Sequence, residues 1–336
     1  MKPNITSIID IARALGVSTS TVSRALKNHP DISEETRRRV QEFARRVNYR
    51  PNALALGLKQ QRSFTLGIII PEIVHHFFSS IISGIEDVAY GKGYRLMICQ
   101  SNEEFERERI NLQALLDHRV DGILVSMSKN TFQYDHFEDA VEQGIPLVFL
   151  DRVCKNIETD RVVTDDYQGA HLVTTHLLRK GRRRILHLAA PQHLFIGRER
   201  LQGYTEALTD HKIPINPALI LQCDTSAQVK TLKEQIIRLA PNIDGIFAVN
   251  DFSAIAVMQL LQEHGFQIPE QISVAGFGDD PIALIARPKL TTVEQKGYAM
   301  GRQAVQMMID RLEHPELAGE FQTKVFSATL KLRDSS

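Results

Sequence analysis

The chain has no tryptophan and only 3 cysteines, Cys99, Cys154 and Cys223. No Cys-x-x-Cys pair occurs, so neither a zinc ligand set nor a disulfide framework is indicated. That usage fits a reducing cytoplasm. No apolar run reaches the ~18 residues a membrane span needs. Asp10 and Arg13 interrupt "SIIDIARALGV", which is therefore no secretory core. Enzyme signatures are missing too. No phosphate-cradling Gly-x-x-x-x-Gly-Lys and no Gly-x-Ser-x-Gly elbow is present, and "AGFGDD" is too short for a dinucleotide fingerprint. Histidines and aspartates are scattered rather than clustered. No catalytic residue, metal or cofactor is expected.

What is present is a soluble globular composition, 43% hydrophobic and 24% charged over 336 residues. The length suggests two or three domains. The formal net charge of +0 hides an asymmetry, because residues 1–62 hold 12 Lys and Arg against 5 Asp and Glu. A basic end on an acidic body suggests a polyanionic partner at that end. Arg37, Arg38 and Arg39 alone read equally well as a solvated helix face.

The basic segment reads as three short helices, Ile8–Leu15, Ser18–Lys27 and Ser33–Val47. Ser18 and Ser33 are suited to N-caps, and Glu34 and Glu35 place acid in a first turn. Pro51 starts a marginal helical stretch that Gly57 weakens by roughly 0.5–1 kcal/mol. It reads as a hinge ordered by a partner. After Arg62, strands such as "FTLGIIIP", "VDGILVSM", "IPLVFLDR" and "DGIFAVND" alternate with helical segments. That alternation implies parallel sheets covered on both faces. With roughly ten strands, two similar α/β subdomains are expected, and ligands bind beyond the carboxyl ends of such strands, here in a cleft.

In "DIARALGVSTSTVSRALKNH", Ile8, Ile11, Ala12 and Leu15 make one apolar face, and Val22, Ala25 and Leu26 make another. Gly16 and Val17 supply the turn between them. The spacing is that of a helix-turn-helix, whose second helix enters the DNA major groove N-terminus first. A generic helical hairpin remains the alternative. Thr19 and Ser20 are short enough for close approach, and Arg24 suits bidentate pairing with guanine.

The signature D-I-A-x-x-x-G-V-S-x-x-T-V-S-R-A-L, followed by N-Y-x-P-N, resembles the lac repressor family of regulators (LacI/GalR type). The resemblance continues through "HHFFSSIISGIE", "VTDDYQGAHLVTTHLLRKG", "RERLQGY" and "ISVAGFGDDPIALIARPKLTTVEQ" and covers nearly the whole chain. It implies an N-terminal all-α helix-turn-helix domain and an α/β periplasmic-binding-protein-like core of two doubly wound parallel-sheet subdomains. The implied divisions are 1–50 for DNA binding and 51–62 for hinge and linker. One effector subdomain is 63–164 with 294–324, and the other is 165–293 with 325–336. Crossover strands are expected near Val163–Asp165, Thr292–Gln295 and Val325–Ala328.

The resemblance implies an allosteric homodimer that binds double-stranded DNA at a pseudo-palindromic operator. Its effector would be a sugar or sugar phosphate. Thr19, Ser20 and Arg24 match base-reading positions, and Ser18, Thr21 and Ser23 match phosphate-holding ones. Tyr49 of the N-Y-x-P-N signature is counted with the DNA-binding residues. Asn52, Ala55, Leu58 and Lys59 match the hinge in the minor groove, with Leu58 as the wedge at a central CG step. By residue type alone Leu58 reads as a core contact. Melting of paired hinges would be the switch, and Gly57 would ease it. For the effector, Phe77, Phe78, Arg200 and Asp251 match cleft positions. Packing at a helix start or a surface ion pair are the plain alternatives.

Several positions depart from the family pattern. His75 and His76 replace a common Asn-Pro, which places His76 among the effector candidates or in a solvated loop. Gly278 stands at the usual acid, which leaves Asp279 as substitute for the sugar-hydroxyl contact. Leu194 occupies the position where purine-responsive members carry Arg, which argues against a purine corepressor. Lys27 replaces a common Asn, so its phosphate contact is expected to be longer-ranged and more salt-dependent. No leucine heptads follow "FSATLKLRDSS", so a dimer is expected, with helices near Ser79–Tyr90 and Asn111–His118 in its interface. The rival readings are a sugar-binding protein without DNA function and a nucleotide-dependent α/β enzyme.

Overall fold

A computed structural model describes residues 7–49, 62–314, 316 and 319–336. The chain divides into two compact units, Met1–Ser63 and Phe64–Ser336. The hinge candidates Asn52, Ala55, Leu58 and Lys59 lie outside the described residues.

The first unit contains helices α1 (Ile8–Leu15), α2 (Thr19–Leu26) and α3 (Glu34–Arg46). Each begins on a serine that accepts a hydrogen bond from a first-turn amide: Ser7 from Asp10, Ser18 from Thr21 and Ser33 from Thr36. Asp10 reciprocates by accepting the Ser7 amide at 2.8 Å. Such caps satisfy amides that a short helix leaves without partners. Gly16 ends α1 at φ 65°, a left-handed conformation that only glycine adopts freely. The core is small: Ile11, Ala12, Val22, Ala25, Val40 and Ala44. Gln41 ties α3 to the end of α2 through the Ala25 carbonyl and the Asn28 side chain.

The second unit is built on three sheets. In chain order come β1 (Thr65–Ile70), α4 (His76–Gly91), β2 (Arg95–Gln100), α5 (Phe105–Asp117), β3 (Gly122–Val125), α6 (Asp135–Glu142), β4 (Leu147–Leu150) and β5 (Asp160–Thr164). Then follow α7 (Asp166–Arg179), β6 (Ile185–Ala189), α8 (Phe195–Asp210), β7 (Ile220–Gln222), α9 (Ser226–Thr231), α10 (Lys233–Leu239), β8 (Gly245–Ala248), α11 (Asp251–Glu263) and β9 (Ser273–Ala275). The last elements are α12 (Ile282–Ile285), β10 (Thr292–Glu294), α13 (Gly297–Glu313), β11 (Thr323–Phe326) and β12 (Thr329–Lys331).

Six strands pair in parallel in the order β11-β5-β4-β3-β1-β2, and four in the order β7-β6-β8-β9. Strands β10 and β12 form an antiparallel pair. Both larger sheets are covered on both faces by apolar clusters, which is why their strands read as continuous apolar runs. The chain passes between the six- and four-stranded halves three times: from β5 into α7, from β10 into α13, and from β11 into β12.

Short strands lie at the passages expected near Thr292–Gln295 and Val325–Ala328: β10 covers the first, and β11 and β12 flank the second. The single helix expected over "QVKTLKEQIIRLA" is broken at Leu232 into α9 and α10. Helix α13 has no counterpart in the sequence reading. It packs hard on α4, and the contact needs glycine on both helices. A Cβ on Gly84 would lie 2.1 Å from the Tyr298 carbonyl oxygen, and one on Gly301 would lie 2.1 Å from that of Ile81. No helix among the described residues is long and apolar enough to cross a membrane.

Candidate functional site

On α2, Val22 and Ala25 are fully buried, which turns Thr19, Ser20 and Arg24 outward. The Ser18 hydroxyl lies 2.8 Å from those of Ser20 and Thr21, so three hydroxyls cluster at the start of the helix. A hydroxyl cluster at a positive helix end suits phosphate oxygens. Arg24 makes no ion pair with any described residue. Ser23 is half-buried. Tyr49 differs from the rest: it packs against the core of the unit, its amide donates to the Ala44 carbonyl at 2.8 Å, and burial pushes its phenol up.

In the second unit, a cavity of about 360 Å³ opens beyond the carboxyl ends of the strands. That volume suits a small ligand, for which pockets of roughly 300–1,000 Å³ are usual. Segments following β1, β2, β3 and β4 contribute Glu72, Glu103, Lys129, Asp151 and Arg152. Those following β6, β7, β8 and β9 contribute Leu194, Asp224, Asp251, Phe277 and Asp280. Phe77 and Phe78 line it from the first turn of α4, their rings 5.4 Å apart.

Arg200 is buried on α8 and lines the cavity. Its Nε and Nη2 both lie 2.7 Å from Asp166 Oδ1, and Nη1 donates to the Val249 carbonyl at 2.6 Å. The guanidinium also lies 3.8 Å from the Phe277 ring centroid. Burial pushes the Asp166 carboxyl up, against the pull of Arg200, and its Oδ2 has no hydrogen-bond partner among the described residues. Asp251 accepts the Thr292 hydroxyl at 2.5 Å and the Asp280 amide at 2.8 Å. Burial nevertheless pushes its carboxyl up to about 7.

Two sequence candidates do not line the cavity. Asp279 sits at φ 53° and pairs with Arg333 at 2.5 Å, and its neighbour Asp280 lines the cavity instead. His76 lies 3.2 Å from the Ser80 hydroxyl, while His75 lines the cavity, 2.7 Å from Glu72 and edge-on to Phe252. Each stands one residue from a lining residue, in a loop or at a helix start where no periodicity fixes the direction of a side chain. The sequence reading also omitted Asp151, Arg152, Asp166 and Asn250. The strand-end rule alone points to Asp151, Arg152 and Asn250.

The lining is acidic: Glu72, Glu103, Asp151, Asp224, Asp251 and Asp280 face Lys129, Arg152 and Arg200. Arg152 is held by Glu103 at 2.7 Å and Lys129 by Asp224 at 3.5 Å. The surplus leaves carboxylate acceptors for a ligand rich in hydroxyl donors. Among the described residues, no group of three or more His, Cys, Asp or Glu is placed to hold a metal.

Residues 7–52 match the model of bacterial regulatory proteins of the lacI family, and residues 174–336 match a periplasmic binding protein-like domain. The chain is 32% identical over 314 residues to an HTH-type transcriptional repressor PurR of Vibrio cholerae serotype O1, covering 92% of each chain. It is 32% identical over 315 residues to a ribose operon repressor of Halalkalibacterium halodurans, covering 93% of this chain and 92% of that one. A solved transcriptional regulator, the CelR–cellobiose complex, aligns with a TM-score of 0.75 at 26% identity, covering 98% of this chain and 99% of that one. Helix-turn-helix, paired parallel sheets and similarity along the chain agree: this protein belongs to the lacI family of bacterial regulatory proteins, and is a DNA-binding transcriptional regulator with a periplasmic-binding-protein-like domain.

Proposed function

We propose that the protein is a repressor that binds a pseudo-palindromic operator as a homodimer and is controlled by a sugar in the cleft. The observation that carries the ligand class is the cleft itself, with surplus carboxylate acceptors beside the Phe77 and Phe252 rings. Sugars present hydroxyl donors around an apolar face, and that lining complements both. Arg200, Asp251 and Asp280 are assigned to hydroxyl contacts, and Phe77 and Phe78 to the apolar face. The ribose and cellobiose named for two similar proteins point the same way.

Thr19, Ser20 and Arg24 read bases in this scheme, while Ser18, Thr21 and Ser23 hold phosphates. Asn52, Ala55, Leu58 and Lys59 serve the minor groove. The effector subdomains are 63–164 with 294–324 and 165–293 with 325–336. The dimer face is assigned to α4 and α5, where Tyr90 and Ile110 stand exposed.

A nucleobase is the second reading, favoured by the name of the similar PurR proteins. Against it stands Leu194, an apolar wall where an Arg would supply donors.

The test is operator selection from random DNA at fixed salt, read by anisotropy and repeated with sugars and purines. A palindrome whose binding one sugar weakens supports the proposal. A response to purines alone replaces the sugar, and selection of no sequence at any salt removes the DNA assignment.

A further inference from the structure

The acidic cleft has a neighbour of opposite charge. A second cavity, of about 180 Å³, shares Arg152 and Leu194 with the first. It is lined by the 152–156 loop and the first turn of α8. Its charged lining is Arg152, Lys155 and Arg198, with His193 beside them, and no carboxylate lines it.

The cations there are only partly engaged. Arg152 spends Nη1 on Glu103, while its Nε is buried without a hydrogen-bond partner. The Lys155 ammonium lies 3.8 Å from the Phe195 ring centroid and pairs with no described carboxylate. Arg198 donates only to the carbonyls of Gln192 and His193, at 3.4 and 3.0 Å, and likewise lacks a described ion pair. Glu103 already offsets Arg152, but Lys155 and Arg198 pair with no described carboxylate, and an anion between them lowers their repulsion. A guanidinium fork, an ammonium and the positive end of a 16-residue helix are donors matched to a phosphate group. The cleft repels the same group, because its carboxylates outnumber its cations.

We propose that this second cavity is a phosphate subsite, filled by the phosphate group of a small metabolite. Two sources share that chemistry. The phosphate is carried by the effector, whose uncharged part lies in the cleft beyond Arg152 and Leu194, which rests on the sugar assignment above. Or it is a free anion that binds on its own.

The test uses the full-length protein and a Lys155→Gln/Arg198→Gln double variant. Both side chains are exposed and outside the cleft lining, so the fold and the cleft are kept. The probes are inorganic phosphate, ribose 5-phosphate and glucose 6-phosphate, read by ³¹P line broadening at matched ionic strength. Ribose and glucose are titrated in parallel by calorimetry. The expected result is binding of at least one phosphate probe, weakened by about tenfold or more in the double variant as charge-assisted hydrogen bonds are lost. Inorganic phosphate binding unaffected by neutral sugar identifies a free anion. A sugar phosphate that competes with its neutral sugar identifies one effector. Absence of broadening with every probe, or broadening unchanged in the double variant, overturns the proposal. Phosphate binding with no calorimetric response to ribose or glucose removes those two sugars as the effector and leaves the subsite standing.

Discussion

The second helix of the helix-turn-helix, α2, and the cleft of the second unit present polar groups in opposite ways. On α2 the polar side chains stand exposed over a minimal core, and Arg24 has no ionic partner among the described residues to give up. In the cleft the charges are buried and mostly paired with one another before any ligand arrives, as Arg200 is with Asp166 and Arg152 with Glu103. An exposed face is a surface waiting for a partner. A buried, paired cleft is also part of the structure, so its residues carry stability as well as recognition.

That difference is broken first at the Arg200–Asp166 pair. Asp166→Ala leaves a buried guanidinium without its hydrogen-bonded carboxylate, with Asp151 as the remaining negative charge near it, and guanidinium does not deprotonate. The expected loss is about 3–5 kcal/mol of folding stability, measured by urea unfolding. Arg200→Leu should cost less, because the Asp166 carboxyl, already pushed up by burial, can take a proton and become neutral. Equal losses in the two variants would show that the pair does not act through desolvation.

The next largest effect is on acid stability. His187 is fully buried between the rings of Tyr204 and Phe247, and burial lowers it to about 4. Above pH 6.5 it is neutral in folded and unfolded chains alike and contributes no slope. Between 6.5 and about 4 the unfolded chain binds the proton and the folded one refuses it. Stability should therefore fall with falling pH by up to about 1.4 kcal/mol per unit from this group. Asp251, pushed up to about 7, acts with the opposite sign: its contribution is present at low pH and is lost as pH rises through about 7. Unfolding of His187→Phe across this range should show a shallower acid loss than the unsubstituted protein, and an identical slope would remove His187 as its source.

On the DNA side the expected effect is confined to binding. Arg24→Ala should weaken operator affinity by about ten- to a hundredfold, the cost of one bidentate base contact, without shifting the unfolding midpoint. A matching loss of affinity for random DNA would reassign Arg24 from base reading to phosphate holding.

These regions also differ in how readable they were. Caps, periodicity and turn lie within a few residues of one another on α1 to α3, so Ser18, Ser33 and Gly16 could be assigned from sequence. The strands of the second unit were readable because burial on both faces leaves them uniformly apolar. Helix α13 was not. Its buried face holds Val305, Ile309 and three methionines, but Gly297, Gly301 and Ala304 fill the close contact with α4, and small residues chosen for close approach carry a weak apolar signal. In the cleft, Phe77, Phe78, Arg200 and Asp251 could be named one by one. The importance of Asp166 could not, because it lies in a pairing across 34 positions and in shared burial.

The smallest effect separates two adjacent aspartates. Sequence pointed to Asp279 for the effector, but the backbone at φ 53° sends it to Arg333, and Asp280 lines the cleft. Both carboxylates keep some solvent exposure, so neither amide substitution should disturb the fold strongly. For a sugar effector, Asp280→Asn should weaken binding by about tenfold, since a hydrogen bond to a charged acceptor becomes one to a neutral acceptor. Asp279→Asn should leave affinity within about twofold, because the group it would alter is turned to Arg333 rather than to the ligand. Calorimetric titration of both variants with the sugar found in the operator screen decides the matter. A larger loss from Asp279→Asn would mean that the ligand draws Asp279 away from Arg333, and that the cleft trades an internal ion pair for a ligand contact.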